Sequence, residues 1–154
     1  MKSAEGLDVL DPELMKIVNR ATDLHGHLGP FLVIGVRLGL IGIRELGLKK
    51  NDEKLHVTAM LKNSVPFSCV LDGIQVTTKC TIGNKKIRLK RSSGIAAKFE
   101  LPDGKQVTVE VNPTTFERLK NELLRENVSS EEVQKLAQTV ASIPEEELFI
   151  IKRT

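Results

Sequence analysis

Aromatic side chains are nearly missing: the 154 residues include no Trp, no Tyr and five Phe. Such a chain has few platforms on which unpaired bases can stack, which argues against single-stranded nucleic acid as a partner. Cysteine is equally scarce, at two residues, too few for a disulfide scaffold. Neither charge sign dominates, since Lys+Arg 23 against Asp+Glu 20 leaves +3, and a surplus that small specifies no polyanion. The longest apolar region, Leu28 to Ile43, is broken by Pro30 and Arg37 and falls short of the roughly 18 residues a membrane span needs. No basic-then-apolar leader follows Met1, so the expected compartment is the cytoplasm, with both thiols reduced.

What is present is a folding composition, 40% hydrophobic and 28% charged, and at this length one domain is the default. Asp11-Pro12 opens a helix with Leu14, Ile17, Val18 and Ala21 on one face, running to about Leu24. Pro30 starts a second, marked by Leu32, Gly35, Val36, Gly39, Leu40 and Ile43, which ends at Gly47. Gly35 and Gly39 cost helix stability, and the usual compensation is close approach by another backbone, from this chain or a second copy. A homodimer is expected on that ground. From Lys54 the period becomes two, with Leu55, Val57, Ala59 and Leu61 on one face. Ser68 is expected to cap a helix through Val70, Ile74 and Thr77.

Three strand signals follow, at 85–91, 95–101 and 105–111, the last two flanking the turn Pro102-Asp103-Gly104. They are expected to form an antiparallel unit. Helices after Asn112-Pro113 and after a Ser129…Glu132 capping box come next, and Leu148 to Ile151 reads as an edge strand. The order does not alternate strictly, so the expected class is α+β: a single domain with a mixed sheet of about four to five strands flanked by helices.

Two of the three histidines, His25 and His27, sit in the interhelical segment Thr22-Asp23-Leu24-His25-Gly26-His27-Leu28-Gly29-Pro30. Residues two apart on a helix point about 200° apart, but a segment pivoting on Gly26 can turn both imidazoles toward one point. Neutral imidazole is a common ligand for zinc and its neighbours. The plainer alternative has His25 complementing a helix C-terminus, Gly26 at C′ and His27 on the surface. Cys69 opens the third helix, where backbone N–H groups favour a thiolate. Two imidazoles and one sulfur would leave a fourth position open, as in catalytic zinc sites; the alternative is a small buried residue.

Cys80 lies eleven residues further on, a helical rise of roughly 16 Å, which excludes a direct bridge to Cys69; a core thiol and a metal ligand both stay open. Asp72, one turn after Cys69, can orient a ligand or handle protons, or merely serve the helix dipole, and Asp23 has the same two readings. The basic run Lys85, Lys86, Arg88, Lys90, Arg91 can track phosphates, but it reads better as the solvated face of a strand, as does His56. Arg37 and Arg44 can meet an anion, or form the wet side of the central helix.

Two separated blocks, His25-Gly26-His27-Leu28-Gly29-Pro30 running into Gly35 and Arg37, and Cys69-Val70-Leu71-Asp72-Gly73-Ile74-Gln75 running into Cys80-Thr81-Ile82-Gly83, carry a resemblance. The chain resembles the formylmethanofuran dehydrogenase FmdE-like family of archaea and anaerobic bacteria, in its core domain, without the C-terminal zinc finger of some members. The resemblance implies an α+β core and a site where zinc, or another first-row transition metal, is held by His25, His27, Cys69 and Cys80. It further implies association with a molybdenum or tungsten oxidoreductase, with a stand-alone metal-dependent enzyme as the alternative. Gly29 stands where many relatives carry another cysteine.

Overall fold

The structure is a computed structural model that describes residues 11–49 and 54–153. Helix α1 (Pro12–His25) starts where the Asp11 carboxylate accepts the Glu13 N–H, and stops at Gly26, whose φ of 107° only glycine adopts readily. Helix α2 (Pro30–Glu45) is apolar on nearly every side and buries residues from Pro30 through Gly42. A helix of that kind belongs at the centre of a fold. On one side its Gly42 lies under the Phe99 ring, which an added Cβ would meet at 2.5 Å.

On the other side α2 meets α3 (Cys69–Thr78) at backbone distance. A Cβ on Gly35 would stand 2.1 Å from the Val70 carbonyl oxygen, and one on Gly73 would stand 2.4 Å from the Val36 nitrogen. Gly39 receives the Thr77 side chain. The close approach expected of Gly35 and Gly39 is therefore made by α3 of the same chain, and these glycines give no argument for a second copy.

The sheet has five strands, β1 (His56–Leu61), β2 (Ile87–Arg91), β3 (Ala96–Glu100), β4 (Gln106–Val111) and β5 (Phe149–Arg153), in the order β2-β1-β3-β4-β5. β2 runs parallel to β1, with Ala59 opposite Leu89, whereas β1–β3, β3–β4 and β4–β5 are antiparallel. The expected antiparallel unit of three strands is thus corrected: β2 does not neighbour β3. The chain returns from β1 through α3, and a helical crossover brings the next strand back parallel. Val57, Ala59 and Leu61 are buried, while His56, Thr58 and Met60 lie on the opposite, more open face.

Helices α4 (Pro113–Leu124) and α5 (Ser130–Ser142) carry their expected caps, Asn112 accepting from Thr114 and the reciprocal Ser129–Glu132 box at 2.9 and 3.0 Å. The four-residue α6 (Glu145–Leu148) precedes β5 and carries no periodicity long enough to read. Arg37 is not on a wet face. Its Nη1 donates to the carbonyls of Val140 at 2.8 Å and Ile143 at 2.7 Å, closing the C-terminus of α5, and its guanidinium lies 5.5 Å from the Phe149 ring centre. Arg44 is exposed and paired with Glu145. Both sheet edges end in cations, Arg88, Lys90 and Arg91 on β2 and Lys152 and Arg153 on β5, a common guard against edge-to-edge pairing. The basic run is accordingly the exposed side of an edge strand. No helix among the described residues is long and apolar enough to cross a membrane.

Candidate functional site

The α1–α2 connection and the N-terminal end of α3 face one another because α2 and α3 share a glycine-lined contact. His25 is the last residue of α1, and the turn at Gly26, whose N–H donates to the Thr22 carbonyl at 2.7 Å, redirects the chain so that the rings of His25 and His27 stand 4.8 Å apart. His25 Nδ1 lies 2.7 Å from Asp72 Oδ2. A carboxylate only accepts, so Nδ1 carries the proton and Nε2 presents its lone pair. The other Asp72 oxygen accepts from Gln75 Nε2 at 3.1 Å, and Gln75 Oε1 in turn accepts the Ile82 N–H at 2.9 Å. The imidazole is thereby locked in tautomer and direction by a chain of three side chains. Nε2 is buried and meets no hydrogen-bond partner among the described residues.

His25, His27 and Cys69 line one cavity of about 250 Å³, whose remaining wall is apolar: Gly29, Pro30, Phe31 and Leu32 from the start of α2, Val65 and Pro66 from the turn after β1, Leu123 and Leu124 from α4, and Val133 from α5. The rings of Phe31, Phe67 and Phe116, with centroids 5.4 to 6.2 Å apart, brace this wall from behind. The site lies beyond the carboxyl end of β1, the usual place for ligands beside a parallel pair.

Cys69 differs from expectation. Ser68 makes no side-chain cap, because the chain enters α3 through a continuing turn in which Pro66 O accepts the Cys69 N–H at 3.1 Å. Burial, and then the charge of Asp72, push the Cys69 thiol up rather than down. It is a protonated thiol in a closed wall. Cys80 is also buried, but its Sγ donates to the Leu55 carbonyl at 3.2 Å and it is not part of the cavity wall. Neither cysteine is in a disulfide. Asp23 is exposed and outside the wall, and His56 accompanies the Lys54 carbonyl on the open sheet face.

Among the described residues, no three His, Cys, Asp or Glu side chains already form a metal-holding cluster. The donor set nevertheless suits a borderline metal, with a desolvated imidazole nitrogen lacking a partner, a second imidazole beside it and a thiol on the same wall. Asp72 holds His25 as outer carboxylates hold metal-bound histidines. The sequence spacing brought out His25, His27, Cys69 and Asp72. It missed Gln75 and the α4–α5 wall, because a hydrogen-bond relay and a tertiary wall leave no local pattern.

Known proteins share this outline. A protein of Archaeoglobus fulgidus named "Probable S-adenosyl-L-methionine-binding protein" is 28% identical over 155 aligned positions, covering 90% of this chain. The chain spans only 42% of that relative's length. The crystal structure of an FmdE-like tungsten formylmethanofuran dehydrogenase protein from Syntrophus aciditrophicus superposes with a TM-score of 0.59 over 92% of this chain and 71% of that one. At 17% identity this likeness is one of fold. The sequence model of FmdE, described as "Molybdenum formylmethanofuran dehydrogenase operon", matches residues 24–150, from the histidine segment to the last strand, and the chain belongs to the FmdE family.

Proposed function

We propose that this chain is a transition-metal-binding module, zinc being the first candidate, that serves a molybdenum or tungsten oxidoreductase. One observation carries the metal reading: His25 Nε2 is buried in the cavity wall without a partner while Asp72 fixes Nδ1 2.7 Å away. A buried nitrogen lone pair is costly unless something meets it. His25, His27 and Cys69 are the residues that would hold the ion, Cys69 giving up its proton, with Asp72 and Gln75 aiming His25. Once bound, the metal would supply Lewis acidity at a position left open to the cavity. The position of Cys80 behind β1 gives no support to its being a fourth ligand.

The partner reading draws on family membership. The alternative, a stand-alone metal-dependent enzyme, draws on the cavity itself, which leaves room for a small molecule beside the donors. Metal analysis of purified protein tests the site. About one equivalent per chain is expected, lost in His25→Ala and retained in Cys80→Ser; metal-free protein from metal-replete cells, or metal retained in His25→Ala, would refute it. Recovery of molybdenum- or tungsten-containing subunits with the tagged chain from its own cells would favour the accessory role over the stand-alone enzyme.

A further inference from the structure

The cavity's wall restricts what can enter it. Among the described residues it carries no Lys, Arg, Asp or Glu, so an ionised phosphate or carboxylate would shed its hydration without meeting a counter-charge. Its polar groups are gathered on one side, because Cys69 precedes Asp72 by one turn of α3, Asp72 grips His25, and the His27 ring lies beside His25. Everything else is hydrocarbon, from Phe31 and Leu32 to Leu123 and Val133. At about 250 Å³ the space lies between the roughly 150 Å³ that admits benzene and the roughly 300 Å³ where pockets for drug-sized ligands begin. At the mouth Val65 and Leu124 stand 79% and 56% exposed, apolar surface that an entering ligand would cover.

We propose that the cavity binds a small, uncharged, mostly hydrocarbon molecule that directs one hydroxyl-type heteroatom at His25, either to Nε2 itself or to a metal held there. The inference rests on the reading that this cavity is the working site, and it adds the ligand class. The wall selects for the hydrocarbon body and against charge. The fixed imidazole sets the direction in which the heteroatom points.

Phenol is the probe, titrated into the full chain, with and without prior removal of metal, and followed by methyl NMR. Shifts are expected at Leu32, Val65, Leu123, Leu124 and Val133, with Val109 on β4 unmoved. Phenyl phosphate and benzoate should bind at least about tenfold more weakly than phenol. Leu124→Asp and Val65→Asp, both at exposed positions that spare the core, should each weaken phenol about tenfold or more and leave metal content unchanged. Absence of cavity shifts at millimolar phenol, or phenyl phosphate or benzoate binding as tightly as phenol, would overturn the proposal. Phenol binding by a chain that takes up no metal would remove the metal reading and keep this one; metal uptake without phenol shifts would do the reverse.

Discussion

Asp72 Oδ2 holds His25 Nδ1 at 2.7 Å across 47 residues of sequence, joining α3 to the end of α1. The contact decides which imidazole nitrogen faces the cavity. Asp72→Asn preserves shape but weakens the acceptor and lets the amide turn its NH₂ toward Nδ1, which stabilises the wrong tautomer. Metal affinity is expected to fall about 10- to 100-fold, measured by competition with a chromogenic chelator. Unchanged affinity would mean that the pair is only a helix-to-helix tie.

The α2–α3 contact leaves no room for a methyl group. Gly35→Ala drives a Cβ to 2.1 Å from the Val70 carbonyl oxygen, a backbone atom that cannot rotate away. Overpacking of this kind costs about 1–3 kcal/mol or more, which should appear as a lower urea midpoint. Gly94→Ala meets nothing within 4 Å and should change stability by no more than about 0.5 kcal/mol. Because α3 also carries Cys69 and Asp72, Gly35→Ala should weaken metal binding as well.

The Cys69 thiol is raised by burial and by the neighbouring Asp72. Below the ordinary thiol range both folded and unfolded chains keep that proton. As pH rises above it, the unfolded chain ionises first and stability falls. Metal-free wild type should therefore lose stability in the alkaline range more steeply than Cys69→Ala, and alkylation of Cys69 should need a higher pH than that of a cysteine in a short peptide. Rapid alkylation of Cys69 at neutral pH would contradict this.

Arg37 closes α5 by donating to two carbonyls, Val140 and Ile143. Burial lowers its pKa, and the charges of Glu145 and Glu146 partly offset that effect. Arg37→Met keeps much of the apolar stem but leaves both carbonyls without this donor, an expected loss of about 1–3 kcal/mol read from urea denaturation. Arg37→Lys should recover part of it, since a single ammonium can reach one carbonyl.

Periodicity marks elements and faces but not partners, and the misreadings follow that division. The alternation at 85–91 located β2, yet alternation is the same in a parallel and an antiparallel pair, so its place beside β1 was hidden. Gly35 and Gly39 announced a close approach without naming α3 as the neighbour. Ser68 has a capping side chain, but the turn through Pro66 occupies the position a cap would take. The site was legible where chemistry is local, in His25-Gly26-His27 and in the Cys69–Asp72 turn. It was illegible where packing decides, as for the Leu123, Leu124 and Val133 wall.

The central claim is that two imidazoles and one thiol sulfur serve one cation. X-ray absorption at the metal edge of the purified, metal-loaded chain tests it most directly, because nitrogen and sulfur neighbours are counted separately. The expected shell is dominated by nitrogen with a single sulfur, which disappears in Cys69→Ser and persists in Cys80→Ser. A shell with no sulfur in the wild type, or one sulfur lost only in Cys80→Ser, would contradict it.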